Sequence, residues 1–180
     1  MKRIFLALRL NEIAISLLKN LGGTVPGARP VPEEQMHLTI RFIGEVDGTM
    51  FKDIRERLLD LDSPEVDLAI GGVGHFPPRG APRVLWAGIA PSADLFTLRN
   101  RINSLLRQSG IDPDPRKFHP HITLARLKNT SSGKVAKFLT ENHDLAVPPF
   151  RVSELTLFSS ILSSKGAVHS VEGCYPLKKR

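Results

Sequence analysis

Apolar positions follow a two-residue period in some stretches of this chain and a three-to-four-residue period in others. The first period belongs to strands and the second to helices. KRIFLAL (2–8), MHLTIRFIG (36–44), EVDLAI (65–70), VLWAGIA (84–90), HITLARL (121–127), RVSELTLFSS (151–160) and GAVHSVEGC (166–174) predict strands, with Val73–Phe76 as a short addition. Helical spacing runs through 10–20, 49–61, 92–109 and 131–140. The inner stripes are positions 13, 14, 17 and 18, then Phe51, Ile54, Leu58 and Leu61, then Leu95, Leu98, Ile102 and Leu105. Asn11 caps the first helix, and a serine starts the last. The Pro- and Gly-bearing stretches 24–35, 71–83 and 112–120 read as connections.

Strands cluster in this order instead of alternating strictly with helices. An α+β fold with antiparallel sheets therefore fits better than a doubly wound one. There is also an internal echo. In each half a helix leads through a Pro-bearing loop into a strand that reads His, apolar, Thr, apolar: HLTI at 37–40 and HITL at 121–124. The histidines are 84 residues apart, from 37 to 121. A duplicated unit of that length builds two similar lobes facing a cleft, and residues 1–180 are expected to form one domain of that kind.

On a strand, residues two apart share a face. His37 and Thr39 therefore point one way, and Leu38 and Ile40 the other. His121 and Thr123 oppose Ile122 and Leu124 in the same manner. With the apolar pairs in the core, two imidazoles and two hydroxyls surround a shared cavity. An imidazole titrates near neutral pH. One histidine can take a proton from a nucleophile while the other gives one to a leaving oxygen. Two hydroxyls can donate to the oxygens of a phosphoryl group between them. That is a complete set for in-line displacement at phosphorus without a metal or cofactor.

Composition narrows the picture further. Of 180 residues, 41% are apolar, which is enough for a real core. No run approaches the roughly 20 apolar residues of a membrane helix. Arg9, Asn11 and Glu12 interrupt MKRIFLALRL too early for a signal peptide, which leaves a first strand there; a cytoplasmic protein is expected, and a monomer. The formal net charge of +7, with a KKR cluster at 178–180, suits a phosphate-rich partner. Cys174 is the single cysteine and pairs with nothing. His119 and His121 form an H-x-H pair without the further ligands a metal needs. GGVG at 71–74 lacks the GK[ST] of a phosphate-binding loop. Trp86 reads as core, and His75 and His143 have no partner pattern.

The two H-x-T-hydrophobic motifs resemble those of the 2H phosphoesterase superfamily. The wider text is similar to its 2′-5′ RNA ligase branch, also called RNA 2′,3′-cyclic phosphodiesterases. RIFLAL (3–8), HLTIRFIGEV (37–46), GHFPPRGAPRVLWAGI (74–89), FHPHITLARL (118–127) and RVSELTLFSSIL (151–162) carry the resemblance in order. It implies a bilobal, pseudo-two-fold α+β fold, with two antiparallel sheets facing a central cleft and helices outside. It implies hydrolysis of an RNA 2′,3′-cyclic phosphate end to a 2′-phosphate, with ATP-independent 2′-5′ ligation as a companion reaction. Its partners would be RNA ends such as tRNA fragments. The same chemistry on small cyclic nucleotides or 2′-5′ oligonucleotides, or a non-catalytic RNA-binding module, are the alternatives. His37 and His121 then act as acid and base, and Thr39 and Thr123 bind the phosphate. Arg126 follows the second motif and is expected to hold a phosphate oxygen, although strict alternation puts it opposite His121. Arg41 shares the His37 face by alternation and is expected in the cleft, with Phe42 in the core. The chain departs from the family at His169, where a Tyr is usual, and His169 is left out of the expected site.

Overall fold

The computed structural model describes residues 1–164 and 166–179, so Arg180 of the KKR cluster lies outside the described residues. The elements run β1 (Lys2–Arg9), α1 (Glu12–Leu18), β2 (Arg29–Pro30), β3 (His37–Val46), α2 (Gly48–Arg57), β4 (Val66–Phe76), β5 (Val84–Ile89), α3 (Ala93–Gln108), β6 (His121–Arg126), α4 (Ser132–Glu141), β7 (Ala146–Val152), β8 (Glu154–Ser163) and β9 (Gly166–Pro176). Side chains set where the helices begin. Asn11 Oδ1 accepts the Ala14 N–H at 2.9 Å, and Asp47, Ser92 and Ser131 cap the other three helices in the same way. In α1 only Ala14 and Leu18 of the expected stripe are buried, while Ile13 and Leu17 stay exposed. The stripe of α3 is buried at Leu95, Leu98 and Ile102 and then at Leu106 in place of Leu105.

The fold is α+β with antiparallel pairing throughout the named strands. The expected two sheets are joined, however. Nine strands form one curled sheet in the order β7-β4-β5-β6-β3-β1-β8-β9, with β2 attached to β6. The halves β7-β4-β5-β6 and β3-β1-β8-β9 are the two lobes, and among the described residues the ladder between them consists of the pair Leu38 with Ile122. The lobes are interleaved along the chain. β4 follows α2 yet pairs with β5. β8 pairs with β1, although only Ser153 separates it from β7. RVSELTLFSS, expected as one strand, is therefore the end of one strand and the start of another on distant parts of the sheet. The Pro148–Pro149 pair masks β7 in the sequence, and an edge strand tolerates such residues.

One face of the sheet packs into a continuous core. Ile4, Leu6 and Leu8 of β1, Leu38 and Ile40 of β3, Leu85 and Ala87 of β5, and Ile122 and Leu124 of β6 meet the buried helix residues there. Phe5, Ala7 and Phe158 form a separate small buried cluster. They belong to the opposite face by alternation, which is the face that carries the two His-x-Thr motifs.

Candidate active site

The antiparallel pairing of Leu38 with Ile122 sets the two motifs head to tail. Continued one residue each way, the register puts His37 across from Thr123 and Thr39 across from His121. A pseudo-two-fold axis therefore runs through the Leu38–Ile122 pair. The flanking strands obey it as well. Arg9, Ala7 and Phe5 of β1 pair with His37, Thr39 and Phe42. Gly88, Trp86 and Val84 of β5 pair with His121, Thr123 and Arg126.

Those pairings skip Ile40 in one lobe and Leu124 in the other, so each motif strand carries a bulge at the same place. A bulge inserts one residue and reverses the facing of everything beyond it. The burial pattern shows the reversal, because Ile40 and Arg41 are both buried, as are Leu124 and Ala125. Two expectations change as a result. Arg41 turns away from the cleft; it is 6% exposed, donates to the Asp112 carbonyl and lies 3.8 Å from an Asp114 oxygen. Phe42, expected in the core, is 37% exposed and lines the cleft. For Arg126 the bulge removes the conflict with alternation, and its side chain lines the cleft on the side of His121 and Thr123.

The cleft is about 440 Å³ and is bordered by His37, Thr39, His121, Thr123 and Arg126 together. Both imidazoles are anchored in the same manner. His37 Nδ1 lies 2.7 Å from the Gln35 carbonyl oxygen, and His121 Nδ1 lies 2.7 Å from that of His119. A carbonyl only accepts, so each Nδ1 carries the hydrogen and each neutral ring keeps a bare Nε2. Thr39 Oγ1 sits 3.1 Å from His37 Nε2. Aromatic rings hold the imidazoles from the side. Phe5 and Phe158 stack on His37, with centroids at 4.9 and 5.9 Å. Phe76 stands edge-on to His121 at 4.9 Å. Trp86, expected in the core, is on the cleft face instead, packed near His119 and His121, where a Cβ at Gly74 would run into its indole. His119 thus contributes its carbonyl and its ring packing. Among the described residues no group of three or more His, Cys, Asp or Glu is arranged to hold a metal.

Comparison with known proteins gives the chain a family. Residues 9–86 and 89–169 match the family model of the LigT-like phosphoesterases. The chain belongs to that family. It is 35% identical over 143 residues to an RNA 2′,3′-cyclic phosphodiesterase of Aeropyrum pernix, covering 78% of this chain and 81% of the relative. It is 32% identical over 177 residues to one from Thermotoga maritima, covering 94% and 92%. Among solved structures it superposes on TT0787 of Thermus thermophilus with a TM-score of 0.84 at 25% identity, and on apo Escherichia coli LigT with 0.79 at 24%, covering 98% of both chains in each case.

In this LigT-like phosphoesterase the cleft is lined by arginines, and its histidines all have lowered pKa values. Arg3, Arg29 and Arg126 line it, and none of its described lining residues is Asp or Glu. Burial is the main reason that the His37 pKa falls to about 4; the Gln35 carbonyl opposes the shift, and the charges of His169 and His121 add to it. Burial also lowers His121, against the pull of the His119 carbonyl. His169 lines the same cleft and is lowered by burial and then by Arg126. The expected site leaves His169 out, although alternation along its strand is a usable signal. Arg3 and Arg29 carry no such signal, since only the fold brings them to the cleft. No helix among the described residues is long and apolar enough to cross a membrane.

Proposed function

We propose that this protein hydrolyses RNA 2′,3′-cyclic phosphate ends to 2′-phosphates, with His37 and His121 as the paired acid and base. The observation that carries this reading is the shared cleft in which both rings, fixed through Nδ1, turn Nε2 toward the chemistry, that of His37 beside the Thr39 hydroxyl. The names of the Aeropyrum and Thermotoga relatives support the substrate. Three cleft arginines favour an RNA end over a cyclic mononucleotide, whose cyclic phosphate carries a single negative charge.

In the proposed step, water attacks phosphorus opposite the bond to the 3′-oxygen. His121 Nε2 takes a proton from that water. The P–O3′ bond breaks, and O3′ takes a proton from His37 Nε2, leaving a 2′-phosphate and a 3′-hydroxyl. The bound phosphate anion favours a charged imidazole, so substrate itself loads His37 with its proton. An imidazole that resists protonation is a strong donor once loaded. Thr39, Thr123 and Arg126 hold the phosphate oxygens as charge develops. A ribose 5′-hydroxyl in place of water would give a 2′-5′ linkage, and no ATP is needed because the cyclic phosphate is already activated.

The test is incubation of an oligoribonucleotide ending in a 2′,3′-cyclic phosphate, with the product phosphate located by NMR. A 2′-phosphate is expected. A 3′-phosphate would show that the other P–O bond breaks, and no turnover would remove the reading.

A further inference from the structure

His169 is a cleft residue that the proposed step does not use. It sits on β9 across from Ser160 of β8. Its ring stands edge-on to Phe5 at 4.9 Å and to His37 at 5.5 Å, with interplanar angles of 75° and 77°. These contacts fix the ring on the His37 side of the cleft.

The two nitrogens of His169 are in different surroundings. Among the described residues Nδ1 is buried without a hydrogen-bond partner, whereas Nε2 is not one of the buried unpartnered atoms. A buried N–H without an acceptor is the arrangement proteins avoid most, so the hydrogen belongs on Nε2. This is the opposite tautomer to that of His37 and His121, which spend Nδ1–H on backbone carbonyls. Burial, and then the neighbouring Arg126 charge, lower the pKa of this ring and so favour its neutral form. Of the three imidazoles in the cleft, two therefore present lone pairs and one presents a donor.

We propose that His169 is a substrate-binding residue whose Nε2–H donates a hydrogen bond to a non-bridging oxygen of the phosphate held between His37 and His121. The assignment rests on the phosphoryl-transfer reading above. It adds a neutral donor on the His37 side of the phosphate, where the pseudo-two-fold counterpart of Arg126 is Phe42 and supplies none.

Two substitutions separate hydrogen bonding from packing. H169F keeps an aromatic ring but removes the donor, and H169Q keeps a donor but removes the ring. With the cyclic-phosphate oligonucleotide, H169F should lose about tenfold or more in kcat/KM, the range of one hydrogen bond to a charged group. H169Q should lose clearly less. Binding of inorganic phosphate should weaken in the same order, with thermal melts confirming that both variants fold. Nitrogen NMR of the parent protein should show the Nε2–H tautomer at His169. An H169F enzyme equal to the parent, an H169Q loss matching that of H169F, or an Nδ1–H tautomer would each overturn the proposal. If the RNA end is not turned over at all, the functional reading fails, and the phosphate-binding and tautomer measurements still judge His169.

Discussion

Leu38 stands directly across from Ile122, and this one pair joins the two lobes of the sheet. The same pair is the pivot of the pseudo-two-fold axis that sets each histidine across from the other motif's threonine. The backbone repeats about it as far as one bulge in each motif strand, at Ile40 and at Leu124, whereas the side chains beyond do not. Arg126 stands on one side and Phe42 on the other. The two ends of a nearly symmetric frame are therefore chemically different.

Removal of either imidazole should disable the chemistry and leave the fold intact. His37→Gln and His121→Gln should each lower the rate on the cyclic-phosphate oligonucleotide by roughly 10²- to 10⁴-fold, the usual contribution of a positioned acid or base. Single-turnover kinetics beside circular dichroism melts would measure both. Full activity in either variant would end the paired-histidine mechanism.

The two arginines near the motifs should behave differently. Arg126→Ala should raise KM and leave the denaturation midpoint unchanged, because its side chain is in the cleft. Arg41→Ala should destabilise the protein by roughly 1–3 kcal/mol, because its guanidinium is buried and bonded to the Asp112 carbonyl. Urea titrations and KM measurements on both variants would show whether the bulge has sorted them in this way.

Acid should weaken the fold through His37. An unfolded imidazole takes its proton near pH 6.5, while the folded ring resists until about pH 4. The unfolded chain therefore binds more protons between those values, and stability falls as pH drops through that window. The loss should reach at most about 3 kcal/mol from this group and stop below pH 4. His121 and His169 act in the same direction. Urea midpoints from pH 7 to pH 4 should fall less steeply for His37→Gln than for the parent, and equal slopes would contradict the assignment.

Gly74→Ala tests the seat of His121. The added methyl would meet the Trp86 indole, which packs near His121 and His119. Overpacking of this sort should lower stability by roughly 1–3 kcal/mol, and any displaced indole should also lower activity. A melt and a rate measurement on one sample would register both effects.

The alternation in HLTI and HITL is enough to orient His37, Thr39, His121 and Thr123, because facing within a strand depends on local geometry alone. It fails one residue beyond, at Arg41 and Phe42, because a bulge depends on the partner strand and has no marker in the motif. Trp86 misleads for a related reason. A large aromatic next to Leu85 and Ala87 looks like core, and only the glycine across from it at position 74 reveals a slot on the other face. The division of RVSELTLFSS between two lobes is equally hidden, since a crossover in the chain follows from long-range pairing. His169 lines the cleft on a strand far along the chain from either motif. Its proposed role depends on an unpaired nitrogen, which no sequence shows.

The interleaved strands also govern when this protein can first act. Arg3 pairs with Ser160, so the amino end of the chain waits for β8 before its sheet is complete. The rings beside His37 include Phe158 and His169, which are synthesised long after both His-x-Thr motifs. A nascent chain stopped after β6 holds every acid and base of the proposed reaction but lacks half the wall that positions them. The wall around His37 is thus complete only once residues 154–176 have been added to the chain.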